Sequence, residues 1–283
     1  MKKQITFLFL FLGVFAFSQI THPKASSFAK VEQEVGLSRI MIEYSRPATR
    51  GRTVFGELVP YGRIWRVGAN ESTKFSCTDE LKILGNVLPK GTYALYAFPE
   101  EEEWEIVFHK NTSHWGDGRA AYNPEEDAFR IKVKPETSED FQENFLIFFN
   151  SITHNSINMV WQWVNTKISI PIQVDTDSKM RREIELQLEE NPTAQTYYEA
   201  ARYLQEQGND YEIALGYLDK AIELGGDTYY FHRVKSQVEA TLGDYESAIQ
   251  SAEKSLALAE KEEKDEFVRM NQKNIILWKT KLK

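Results

Sequence analysis

Disulfides are the first thing this sequence lacks. Its 283 residues include one cysteine, Cys77, so no intramolecular bridge can form and stability has to come from buried cores. A lone thiol of this kind reads as a small buried hydrophobe before it reads as a nucleophile. Basic charge is also short: 34 Lys and Arg against 42 Asp and Glu leave −8 at pH 7. That argues against nucleic acid, whose phosphates need a basic footprint, and against an anionic membrane surface. Long apolar runs are missing as well. The longest, Ile5 to Phe17, is about thirteen residues where a spanning helix needs about twenty. No Gly-x-Ser-x-Gly elbow, phosphate loop or dinucleotide fingerprint occurs, so no cofactor is expected.

What is present begins with an export pattern. Lys2 and Lys3 precede the apolar run, and Ala16-Phe17-Ser18 places small residues where a signal peptidase reads. Residues 1–18 are expected to be a signal peptide, leaving Gln19 first and a periplasmic or secreted chain of net charge −10. No cysteine follows the small residues, so neither a lipid anchor nor stable membrane insertion is expected.

Residues 19–175 carry strand periodicity. Ile40, Ile42 and Tyr44 alternate, as do Leu81 and Ile83, then Trp104, Ile106 and Phe108, then Ile157, Met159, Trp161 and Trp163. Pro47, Gly51, Pro60-Tyr61-Gly62, Gly85-Asn86 and Pro89-Lys90-Gly91 break the runs. About nine strands of ordinary length result, with no helical period long enough to cross over between parallel partners. An antiparallel β-sandwich or jelly roll is expected, with a barrel as the lesser option.

Residues 176–283 change to a period of 3.6. Tyr211-Glu212-Ile213-Ala214 recurs 34 residues later as Tyr245-Glu246-Ser247-Ala248, and Ala221-Ile222 recurs as Ser255-Leu256. A period of 34 with small residues where helices approach closely resembles the tetratricopeptide family over roughly Thr196 to Lys261. Ser236 and Ser255 depart from the usual alanine or glycine. Asp177 to Glu190 and Lys264 to Lys281 are expected to be capping helices. The fold class is therefore α+β by segregated domains, and the repeats imply a protein partner.

The densest chemistry lies between Tyr44 and Thr73. Arg39 to Arg66 holds six arginines against Glu43 and Glu57. Guanidinium groups bind carboxylate or phosphate bidentately and stack on aromatic rings. Tyr44, Arg46, Arg52, Tyr61, Trp65, Arg66, Asn70 and Glu71 are thus candidates to line a pocket for a small polar, anionic or glycan-like ligand. The alternative is that the arginines fasten loops by bonding carbonyls. Two further readings stay open: a hydrolase of envelope polymers with Glu71 or Glu57 beside Arg66, and a purely structural module. His109 and His114 with Asp117 are the best metal candidates, but no spacing fixes their geometry, and no metal is expected.

Tyr44-Ser45-Arg46-Pro47, Gly51-Arg52, Phe55-Gly56, Val59-Pro60-Tyr61-Gly62, Trp65-Arg66, Gly68-Ala69-Asn70-Glu71 with Thr73, and Gly91-Thr92-Tyr93 together resemble the domain-of-unknown-function family numbered 2911, over about Ala25 to Val174. Val67 stands where threonine is common. The resemblance implies an exported bacterial protein, often with helical repeats behind the domain. It implies no activity.

Overall fold

The computed structural model describes residues 22–116 and 120–282; the expected signal peptide and Asp117 lie outside them. The chain divides into two compact units between Thr176 and Asp177. Two antiparallel sheets followed by six helices make an α+β arrangement.

The front unit contains β1 (Ser27–Val35), β2 (Ser38–Arg46), β3 (Thr73–Cys77), β4 (Leu81–Ile83), β5 (Asn86–Leu88), β6 (Gly91–Phe98), β7 (Trp104–His109), β8 (Asp127–Val133), β9 (Glu136–Asn150) and β10 (Ser156–Val174). One sheet runs β1-β2-β3-β6-β7-β8 and the other β5-β4-β10-β9. The tenth strand, beyond the nine expected, comes from the short β4–β5 hairpin turned at Leu84-Gly85, where both residues have positive φ.

Alternation decides what each strand buries. Ile40, Ile42 and Tyr44 of β2 face inward while Arg39, Met41 and Glu43 stay at least partly exposed. Ile42, Phe75 and Leu95 of the first sheet share one core with Trp161, Ile170 and Ile172 of the second. Each such aliphatic side chain contributes about 1.5–3 kcal/mol by leaving water. In β10 the core-facing series is Ile157, Met159, Trp161 and Trp163, then Ile168, Ile170, Ile172 and Val174. The parity changes because the register with β9 shifts between Gln162 and Thr166, with Val164 at φ +49°. Strand β6 is buried on both faces: Tyr93, Leu95 and Ala97 join the core, while Ala94, Tyr96 and Val107 of β7 form an outer cluster with Ile64, Phe98 and Tyr122. Cys77 ends β3 as a buried free thiol whose Sγ donates to the Pro89 carbonyl at 3.6 Å. Burial pushes its pKa up.

The rear unit contains α1 (Thr176–Glu190), α2 (Ala194–Gln207), α3 (Tyr211–Glu223), α4 (Tyr229–Thr241), α5 (Tyr245–Lys261) and α6 (Asp265–Lys279). Thr193, Thr228 and Asp244 cap α2, α4 and α5 by accepting from backbone N–H groups of the first turn, and Gly208 ends α2 at φ +77°. Ala201, Ala214, Ala221, Ala248 and Ala252 are fully buried, which brings neighbouring helices close. Ser255 occupies an equivalent buried place; its hydroxyl donates to the Tyr229 carbonyl at 2.6 Å and accepts from Asn271 Nδ2 at 2.8 Å, so no polar atom there is stranded. No helix among the described residues is long and apolar enough to cross a membrane.

Candidate functional site

The arginine-rich segment is the long irregular crossing from β2 to β3. It leaves the sheet at Pro47 and closes a small turn through Val59 N to Val54 O (2.8 Å) and Gly56 N to Val59 O (2.9 Å). It then pairs Trp65 with Ala97 of β6 through 2.7 and 2.8 Å hydrogen bonds. Before β3 the backbone is contorted: Val67, Gly68 and Asn70 have φ of +53°, +144° and +62°. For β-branched Val67 this is a strained conformation. At Gly68 a Cβ would lie 2.8 Å from the Ser45 carbonyl oxygen, so only glycine lets the turn approach β2 this closely.

Against this crossing lies a cleft of about 300 Å³ whose lining includes Arg50, Arg52, Trp65, Arg66 and Trp163. Its aromatic floor is rigid. Trp65 stacks on Trp163 with centroids 6.0 Å apart and planes at 19°, and each indole N–H donates to a carbonyl, Gly68 and Glu143 respectively. Phe55 and Phe145 pack against both rings. The rim is cationic, yet much of it is engaged. Arg52 donates to the carbonyls of Thr49 and Ala48, both at 2.9 Å, and Arg50 to that of Ala25 at 3.1 Å. Arg46 is not in this lining; its Nε donates to the Phe145 carbonyl at 2.9 Å and ties β2 to β9. Glu143 anchors the same loop by accepting from the Thr49 hydroxyl and the Arg50 N–H, bonds that hold its carboxyl below the usual range.

Asn70 and Glu71 line a second, smaller cleft of about 180 Å³ together with Glu43, Tyr44 and Lys74. Asn70 Nδ2 donates to the Ser45 hydroxyl at 3.0 Å. Burial pulls the Lys74 pKa down, opposed by the Glu71 and Glu43 carboxylates, and its Nζ donates to the Ser72 hydroxyl and the Thr112 carbonyl. The Tyr44 hydroxyl is committed to the core: it accepts from Ile147 N–H at 3.0 Å. Tyr61 belongs to neither cleft. It is exposed beside Phe55, Glu100, Glu101 and Trp104 in a separate acidic depression, because the turn at Gly62, whose N–H donates to the Pro99 carbonyl, carries it away from Trp65. Glu57 is exposed and lines neither cleft. The eight sequence candidates therefore divide: Arg52, Trp65 and Arg66 share one cleft, Tyr44, Asn70 and Glu71 another, and Arg46 and Tyr61 stand apart.

The family model described as Protein of unknown function (DUF2911) matches residues 26–172. The chain belongs to that family. The matched DUF2911 segment spans the whole crossing and all of the lining of both clefts except Lys24 and Ala25, and it stops short of α1 to α6. No curated protein matches the chain.

In the rear unit a groove of about 570 Å³ crosses α2, α4 and the start of α6; Tyr198, Arg202, Tyr230, Arg233 and Phe267 are among its lining. Tyr198 lies flat on Phe231 (4.3 Å, 3°) and edge-on to Tyr230 (5.2 Å), while Tyr229 packs edge-on to Phe267 (4.7 Å). Arg202 is paired with Glu206 at 2.7 Å, whereas Arg233 donates to the neutral Asn271 side chain at 3.3 Å and forms no ion pair among the described residues. Burial lowers the Arg233 pKa, partly offset by the Glu266 charge. The sequence led to a protein partner for the repeats but named site residues only in the front half, so the residues of this groove were not singled out. The aromatic triplet Tyr229-Tyr230-Phe231 at the start of a helix was the available signal.

Proposed function

We propose that the protein is an exported, non-catalytic binding protein whose helical tail is a tetratricopeptide-like scaffold for an extended acidic peptide segment of a partner protein. The 34-residue offset, the short helix-to-helix turns and the buried alanines support the repeat reading. The common core of the two sheets supports a sandwich reading of the front domain. The export pattern at residues 1–18 supports the location.

The observation that carries the reading is Arg233 in the aromatic groove. A half-buried guanidinium without a close carboxylate keeps its desolvation cost until an anion arrives, and the tyrosine faces around it offer apolar contact on either side. Selection of a displayed peptide library on the full chain should enrich sequences with Asp or Glu flanked by apolar residues. Those peptides should lose at least about tenfold in affinity for Arg233→Glu, since an interaction worth about 1.4 kcal/mol is one decade. Winners without acidic residues, or equal binding to the variant, would overturn the reading.

The same proposal gives the front cleft a small organic anion, held by Arg66 over the Trp65–Trp163 floor. Arg66→Ala should then abolish the melting shift caused by a panel of carboxylates and acidic sugars and leave the ligand-free melting temperature almost unmoved. A large ligand-free loss would instead assign Arg66 the loop-fastening role that the carbonyl bonds of Arg46, Arg50 and Arg52 already support. The hydrolase reading has one favourable observation, the company of Glu43 and Glu71 in the smaller cleft. Unchanged turnover of any accepted glycoside substrate in Glu71→Gln would remove it.

A further inference from the structure

Outside both clefts, on the outer face of the six-stranded sheet, two histidines and two carboxylates meet. The alternation of β7 puts Trp104, Ile106 and Phe108 in the core, so His109 faces outward, under the loop that leads to β8. His109 is fully buried there, with Tyr96 of the neighbouring strand and Tyr122 of the loop edge-on or tilted against its ring at 5.5 and 5.0 Å. Its Nδ1 lies 2.8 Å from Asp127 Oδ1. Asp127 also accepts from the Tyr122 hydroxyl and from Arg130 Nε at 2.8 Å. A carboxylate so supplied with donors can only accept, so His109 directs an Nδ1 proton to Asp127 and turns its Nε2 away from that carboxylate.

Among the described residues, Nε2 has no hydrogen-bond partner. It faces Glu126 Oε2 at 3.5 Å, and a ring nitrogen of His114 completes a group whose ligand atoms all lie within 4.8 Å of one another. Two acceptors facing each other repel unless something positive lies between them. A proton on Nε2 would draw the carboxylate in to about 2.7–2.9 Å, as charge-assisted N–H···O bonds do. Nitrogen and oxygen ligands each about 2.0–2.1 Å from one tetrahedral ion are instead separated by about 3.3–3.4 Å, close to the spacing found. The surroundings are those of a metal ligand set. A carboxylate fixes the tautomer of the buried histidine, Asn111 Nδ2 donates to both Glu126 oxygens at 3.3–3.4 Å, and the Tyr96 hydroxyl holds His114 Nδ1 at 3.1 Å.

We propose that His109, His114 and Glu126 bind one late first-row divalent cation, Zn2+ foremost, with Asp127 orienting His109. Two imidazoles and one carboxylate suit zinc better than the oxygen-seeking magnesium or calcium. Three protein ligands leave a coordination position for water or an incoming oxygen. Sequence spacing could not announce the site, because Glu126 reaches it only through the turn Pro124–Glu126, whose end is tied back by Lys110 N–H donating to the Glu126 carbonyl at 2.9 Å.

The test is titration of the metal-free full chain with Zn2+ against a competing chelator, alongside Co2+ absorption spectra and thermal melts. One equivalent should bind, raise the melting temperature and give the visible bands of a four- or five-coordinate Co2+ site. Glu126→Gln, at the partly exposed ligand, and His114→Ala, at a buried one, should each weaken binding about 100-fold or more, beyond the 10–100-fold that loss of an orienting partner costs. Asp127→Asn should fall within that lower range. Substoichiometric binding overturns the proposal, as does binding unaffected by Glu126→Gln and His114→Ala. A His109 nitrogen NMR spectrum showing both ring nitrogens protonated after one equivalent of Zn2+ does the same. None of these outcomes touches Arg66 or Arg233, so the metal site and the proposed binding function stand or fall separately.

Discussion

The two units solve the same problem with different materials. The front unit fills the core shared by its two sheets with its largest side chains: Phe55, Trp65, Trp104, Phe145 and Trp163 form a chain of ring contacts across segments distant in sequence. The rear unit places alanines such as Ala214, Ala221, Ala248 and Ala252 where adjacent helices meet, and its apolar residues fall into two separate clusters, one centred on α2 to α4 and one on α5 and α6. A core assembled from long-range aromatic contacts fails as a whole. A stack of helix pairs exchanges energy only with its neighbours and fails piece by piece. Val67, itself fully buried in the front core, can hold an unfavourable φ because the packing around it over-determines its place.

The sharpest way to break this comparison is Trp163→Ala. Removing a buried indole that packs against Phe55, Trp65 and Phe145 should cost about 3–5 kcal/mol. With about 2–4 °C per kcal/mol for a unit of this size, the front unit should melt roughly 10 °C earlier, while amide exchange in α2–α5 stays unchanged. Parallel loss of protection in the helices would mean that the two units do not unfold separately. Next is Ala252→Leu in α5, where overpacking should cost about 1–3 kcal/mol. Faster exchange should be confined to α4, α5 and α6; acceleration reaching α2 would contradict nearest-neighbour behaviour.

The smallest effect belongs to Asp244→Ala. Asp244 accepts from Ser247 N–H at 3.0 Å, and the Ser247 bonds hold its carboxyl below the ordinary value of 3.8. A depressed carboxyl contributes stability that is present above the unfolded value and is lost as pH falls through the folded one. The variant should therefore be slightly less stable at neutral pH and indistinguishable from the parent once the pH is well below 3.8. A difference that persists in acid would locate the effect elsewhere than in the ionised cap.

Alternation in Ile40, Ile42 and Tyr44, and in Trp104, Ile106 and Phe108, was enough to read an antiparallel β region. Helical period beyond Asp177 was enough to read the tail as α. What escaped was whatever depends on a change of phase or a non-local return of the chain. The parity of β10 stops at Trp163 because a bulge follows, and no composition marks a bulge at Val164. Arg52, Trp65 and Arg66 could be grouped because one loop carries them to one cleft. Tyr61, equally close in sequence, could not be separated from them without knowing which way the Gly62 turn faces. His109 and His114 drew notice, but Glu126 did not, since nothing local links a loop carboxylate to a strand end. Strand parity was the unused clue: it already put His109 on the opposite face from Phe108.

Cys77 gives the front unit a built-in clock. The thiol is shut behind the β3–β6 ladder, which Cys77 and Gly91 close at one end, and burial keeps it protonated and slow to react. A small disulfide reagent can reach it only when that ladder parts. The rate of labelling in dilute buffer therefore times the opening of that end of the ladder, with no second thiol to confuse the reading.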